Sequence, residues 1–97
     1  MAYFMVVEVD VHDPEAYRDY TAQTPGLIAK YGGNWVIRGG EATTMEGGWN
    51  PGRFVVVEWP DKESFQRFYD SPEYQEVLKI RFEHATSRAF GIEGWNP

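Results

Sequence analysis

Apolar residues alternate along two stretches of the chain in a way that predicts extended strands. From Ala2 to Val11, the side chains of Tyr3, Met5, Val7, Val9 and Val11 fall on one side, and those of Phe4, Val6, Glu8 and Asp10 on the other. In RFVVVEW, from Arg53 to Trp59, Val55, Val57 and Trp59 face one way and Phe54, Val56 and Glu58 the other. Both sides of each stretch are mostly apolar. Such strands belong in the middle of a sheet that is covered on both faces.

Helical spacing appears between and after these strands. Asp13 is suited to an N-cap, Pro14 to the first helical position and Glu15 to the positive end of a helix dipole. The stripe that follows runs Tyr17, Tyr20, Thr21, Thr24, Leu27, Ile28 and Tyr31. Pro25 removes one backbone donor and predicts a kink or two abutting pieces, and Gly32 is placed to close the helix as a left-handed cap. A short strand is expected over Asn34 to Arg38. Gly39 to Gly52, with five glycines, reads as a long hairpin connection with its own short edge strand at Ala42 to Glu46. It lacks the lysine and the strand-loop-helix setting of a phosphate-binding loop.

Beyond the RFVVVEW strand, Asp61 caps a short helix that turns Phe65, Phe68 and Tyr69 inward. Ser71-Pro72-Glu73 starts another, which runs to His84 or Ala85; Ser87 to Glu93 forms the last strand and Gly94 to Pro97 a tail. The order βαββαβ predicts an α+β domain over residues 1–97, a ferredoxin-like antiparallel sheet with its helices on one face. The odd-numbered face, with Val55, Val57 and Trp59, is expected to lie under the helices. The other face carries Phe4, Val6, Phe54 and Val56 with Glu8 and Glu58, and the last strand adds Phe90 and Ile92 or their neighbours, depending on register. Left wet, it would reach or exceed the ~300–600 Å² of the largest apolar patch on most soluble monomers, so a second copy is the expected cover. Two such sheets face to face make a barrel.

Composition narrows the function classes. Nine Lys and Arg stand against 15 Asp and Glu, for a formal charge of -6, and no basic cluster suits a nucleic acid or an anionic membrane. The absence of cysteine removes disulfides, thiolate nucleophiles and cysteine-ligated metals. The start of the chain reads as a strand, not as a signal peptide or membrane span, and the expected location is the cytoplasm. His12 and His84 are isolated, without metal-ligand spacing, which argues against a bound metal.

Several residues are candidates for chemistry. Arg81 falls inside the apolar stripe Tyr74, Val77, Leu78, Phe82 and Ala85, and a buried guanidinium needs an acid, carbonyls or an anionic ligand. An internal salt bridge is the structural alternative to recognition of a substrate carboxylate with Tyr74 as second donor. Arg38 and Arg53 flank the glycine-rich connection, and Tyr20 and Trp35 are among the aromatics able to line a cavity. Glu58 and His84 are the candidate bases. Glu8 shares the face of Glu58, but antiparallel pairing puts Glu8 near Phe54 and Glu58 near Phe4, roughly 13 Å apart, too far for a paired-carboxylate mechanism.

The ordered set of motifs carries a family resemblance: Asp13-Pro14-Glu15 with Tyr17 and Tyr20, KYGGNWVIRGGE from Lys30 to Glu41, VVVEWPD from Val55 to Asp61, and SPEYQ from Ser71 to Gln75 followed by Arg81. It resembles the bacterial family called domain of unknown function 1330, a branch of the dimeric alpha-beta barrel superfamily. The resemblance implies a homodimer of ferredoxin-like protomers and brings no agreed activity. The wider superfamily includes cofactor-independent monooxygenases, lactone isomerases and haem-handling proteins, and a shared fold does not fix a function. Two readings stand. One is a small homodimeric protein with a pocket for a small organic acid, acting without a tightly bound cofactor in monooxygenase- or isomerase-like chemistry. The other is a non-catalytic ligand-sensing or dimerisation module.

Overall fold

The computed structural model describes residues 2–95; Met1, Asn96 and Pro97, the last two in the expected tail, lie outside them. The elements are β1 (Tyr3–Val11), α1 (Pro14–Lys30), β2 (Asn34–Arg38), β3 (Arg53–Trp59), α2 (Lys62–Asp70), α3 (Pro72–His84) and β4 (Ala85–Glu93). The strands form one antiparallel sheet in the order β2-β3-β1-β4, which is the ferredoxin-like topology. The Cα extents of 35 × 32 × 16 Å leave room for two layers only, one of strands and one of helices.

Local signals start and stop the helices where they were expected to. Asp13, Asp61 and Ser71 each accept a backbone N–H three residues on, from Ala16, Ser64 and Tyr74. At the end of α1, Gly32 takes a φ of +89°, its N–H reaches the Ala29 carbonyl at 3.1 Å, and the Gly33 N–H reaches the Ile28 carbonyl at 2.9 Å. This is a Schellman cap.

Pro25 does not divide α1 into two abutting pieces. One helix of 17 residues runs through it, because the buried stripe Tyr17, Tyr20, Thr24 and Ile28 continues across the proline. Packing of the turn beyond it offsets the roughly 3 kcal/mol that an internal proline costs. Ala42 to Glu46 is not a strand either. The segment is exposed, with Met45 86% accessible, and β2 already occupies the free edge of β3. β4 begins at Ala85, two residues early, since Ala85 and Thr86 pair with Val11 and Asp10 while the His84 carbonyl accepts the His12 N–H at 2.8 Å.

The register divides the apolar residues as the alternation implied. Met5, Val7, Val9, Val57 and Trp59 are buried under the helices with Phe68, Tyr74 and Leu78. The opposite face carries Phe4 beside Ile92 and Glu58, Val6 beside Phe90 and Val56, and Glu8 beside Arg88 and Phe54. Phe90 and Ile92 are more than half exposed.

Two glycines give opposite expectations. A Cβ on Gly33 would stand 2.8 Å from Ile28 Cγ2 and 2.9 Å from the Trp59 ring, whereas one on Gly26 would meet nothing within 4 Å. In chemical denaturation, Gly33→Ala is therefore expected to cost about 1–3 kcal/mol by overpacking. Gly26→Ala is expected to gain about 0.5–1 kcal/mol through helix propensity. Equal effects at the two sites would contradict the packing described.

Candidate functional site

α3 buries Tyr74, Val77, Leu78 and Arg81 on one stripe, and Arg81 is only 3% exposed. No carboxylate pairs with it among the described residues. Its Nη1 donates instead, over long distances, to the hydroxyls of Tyr20 (3.4 Å) and Tyr74 (3.5 Å), which are themselves 2.6 Å apart. Its Nε has no acceptor among the described residues. Further contact is with aromatic rings, the guanidinium carbon lying 5.9 Å from the Tyr20 centroid and 5.6 Å from that of Phe82.

The two phenols do not neutralise this charge. Burial raises the pKa of Tyr74 well above the usual phenol range, with Tyr20 adding to the effect and Arg81 opposing it. Tyr17, stacked on Tyr20 at 5.1 Å, is pushed up to about 12, chiefly by burial and against the pull of Arg81 and Arg53. At neutral pH Arg81 is a guanidinium cation beside the neutral hydroxyls of Tyr17 and Tyr74. One hydroxyl proton is spent between Tyr20 and Tyr74. The other finds no acceptor among the hydrogen bonds of the described residues.

This cluster borders a cavity of about 40 Å³ between α1, α3 and the inner face of the sheet. Val7, Val9, Val55 and Val57 form its apolar wall, and Thr21, Thr24 and Ile28 close it from α1. Trp35 and Arg38 reach it from β2 because of a local irregularity in the sheet. Trp35 pairs with Val57 but Ile37 with Val56, so Val36 is an extra residue. Trp35 and Arg38, three residues apart, would lie on opposite faces of a regular strand; here both line the cavity, with the Arg38 guanidinium 4.6 Å from the Trp35 ring centroid. Arg53 joins from the start of β3. Among the described residues the lining holds three arginines and no carboxylate.

Five residues singled out in the sequence, Arg81, Tyr74, Arg38, Tyr20 and Trp35, thus share one cavity. Glu58 and His84 do not line it. Glu58 lies on the outer sheet face, beside Phe4 and Asn34. His84 ends α3, with Nε2 4.0 Å from the Glu83 carboxylate. Phe4 and Val11 mark their positions along β1, which puts the two roughly 23 Å apart along the sheet. Tyr17 and Thr24 line the cavity without having been singled out for it, although both share the helix face of Tyr20.

A second polar group lies on the outer face. Arg88 Nε donates to Glu8 Oε1 at 2.7 Å, and the Trp49 indole N–H, brought back by the glycine-rich connection, donates to Glu8 Oε2 at 3.2 Å. The Arg88 hydrogen bond, more than any other contact, holds the Glu8 carboxyl below the usual range. Arg88 was overlooked in the sequence, yet it precedes Phe90 and Ile92 on the same alternating face. No group of three or more His, Cys, Asp or Glu side chains comes together among the described residues, and no helix there is long and apolar enough to cross a membrane.

The family model described as "Domain of unknown function (DUF1330)" matches residues 2–95. The chain belongs to the DUF1330 family. No curated protein matches it. Among solved structures, this DUF1330 chain is similar to a protein of unknown function from Rhodopseudomonas palustris, with 21% identity over 99% of this chain and 84% of that one, at a TM-score of 0.78. It is also similar to SnoaB, a cofactor-independent oxygenase from Streptomyces nogalater, with 18% identity over 99% and 95% of the two chains and a TM-score of 0.68. A dimeric ferredoxin-like protein of unknown function from Jannaschia sp. CCS1 matches with 10% identity over 97% and 100%, at a TM-score of 0.72. At these identities the likeness establishes the fold of this DUF1330 member and nothing further.

Proposed function

We propose that this protein is a homodimer whose protomers each hold a small organic acid in the cavity between sheet and helices. The observation that carries the binding site is Arg81, a buried cation with no counter-charge among the described residues. Taking a charge out of water costs several kcal/mol unless it is paired. A ligand carboxylate supplies the missing partner, and the spare hydroxyl proton of the Tyr20–Tyr74 pair supplies a second donor to it.

The homodimer rests on the outer sheet face, where Phe90, Ile92 and Ile37 are 57%, 53% and 42% exposed around Phe4, Val6 and Phe54. The dimeric Jannaschia protein, with the same fold, lends support. A second copy applied face to face covers this surface, and with it the Glu8–Arg88 pair.

A second reading, favoured by the likeness to SnoaB, is a cofactor-independent oxygenase. A guanidinium and phenol donors in a water-poor site suit the developing charge of an enolate oxygen. Since no carboxylate or histidine lines the cavity, the substrate would have to be acidic enough to ionise there. Oxygen uptake that accompanies substrate loss and disappears in Arg81→Met is the readout of this reading.

Thermal unfolding tests the binding site. Acetate and benzoate are expected to raise the midpoint, by on the order of 10 °C at one hundred times the dissociation constant, while acetamide and benzamide leave it unmoved. Arg81→Met should abolish the shift. Acids and amides acting alike would end the proposal. For the dimer, sedimentation equilibrium is expected to show two chains for the wild type and one for Phe90→Glu; a monomeric wild type would refute it.

A further inference from the structure

One carboxylate satisfies Arg81 and leaves the other two cations of the cavity without a task. Arg38 and Arg53 are exposed and Arg81 is buried, so the charges run from the mouth of the cavity to its floor. Neither Arg38 nor Arg53 forms an ion pair among the described residues. This is unusual company in a chain of net charge -6, where three of the six arginines line one cavity that has no acid among its described lining residues.

Both side chains are directed there by backbone features. The extra residue Val36 turns Arg38 to the inner face, and the Trp35 ring lies against its guanidinium. Gly39 follows with a φ of +72°, and a Cβ on it would fall 2.8 Å from Arg53 Nη1. The Arg53 guanidinium therefore rests against the glycine backbone at the mouth. Tyr17 lines the same cavity, and the charges of Arg81 and Arg53 both act to lower its pKa against the larger effect of burial.

Resting on the acid-binding reading above, we infer that the ligand is a short-chain dicarboxylate. Its inner carboxylate meets Arg81, Tyr20 and Tyr74, its methylene chain crosses the valine wall, and its outer carboxylate lies between Arg38 and Arg53. The small interior, about 40 Å³, fits this division, because only one end of the molecule has to be enclosed.

Calorimetric titration with acetate, malonate and succinate separates the possibilities. The wild type is expected to bind at least one of the two dicarboxylates about tenfold or more tightly than acetate, as befits added charge-assisted hydrogen bonds. That ratio should fall towards one in Arg53→Met and Arg38→Met, both at exposed positions, with circular dichroism confirming their fold. Acetate binding as tightly as both dicarboxylates would overturn the dicarboxylate inference and leave the single-acid reading standing. A preference that survives both rim substitutions would overturn it too. Failure of all three acids to bind would overturn both.

Discussion

The Arg81 guanidinium is held in the interior by its neighbours on α3, with no carboxylate among the described residues to balance it. Tyr74, Val77 and Leu78 anchor the same stripe in the core, so the helix cannot turn Arg81 out to water without giving up that packing. What the site supplies in return is dipolar: two phenols and the faces of two aromatic rings. Such groups soften the cost of the buried charge and leave it positive. The cavity beside it carries two more arginines at its mouth, placed there by the extra residue Val36 in β2 and by the start of β3.

The sheet distributes its apolar residues between two different tasks. Its inner face, from Met5 to Trp59, packs under three helices and encloses the arginine cavity. Its outer face is broad and apolar, with the Glu8–Arg88 pair towards one end and Glu58 towards the other. The thinness of the molecule explains why both faces matter, since two layers cannot cover both sides of a sheet. The glycine-rich connection contributes to the outer face through Trp49, which stacks edge-on against Phe54 at 6.3 Å.

Much of this architecture is legible in the residues because it rests on short-range rules. Alternation in RFVVVEW sorts Val57 from Val56, and the pairing of Glu8 with Phe54 and of Glu58 with Phe4 follows from antiparallel register. Asp13, Asp61 and Ser71 mark helix starts by their own chemistry. Arg81 betrays its burial by angular position alone. What stays hidden depends on distant contacts. Packing of Ile28 carries α1 through Pro25, and the extra residue at Val36 reverses the face of Arg38 without a local signal. Arg88 and Trp49 meet Glu8 from positions 80 and 41 residues away, which no local pattern records.

If Arg81 is kept for a ligand and not for the fold, the ligand-free protein should lose no stability in Arg81→Met. Methionine is unbranched and apolar and can fill the space of the arginine stem. If the charge has no protein partner, the urea midpoint of the variant in buffer free of organic acids should equal or exceed that of the wild type, by up to about 4 kcal/mol in stability. A loss of about 3 kcal/mol or more would mean that Arg81 answers an internal counter-charge, and would contradict the account.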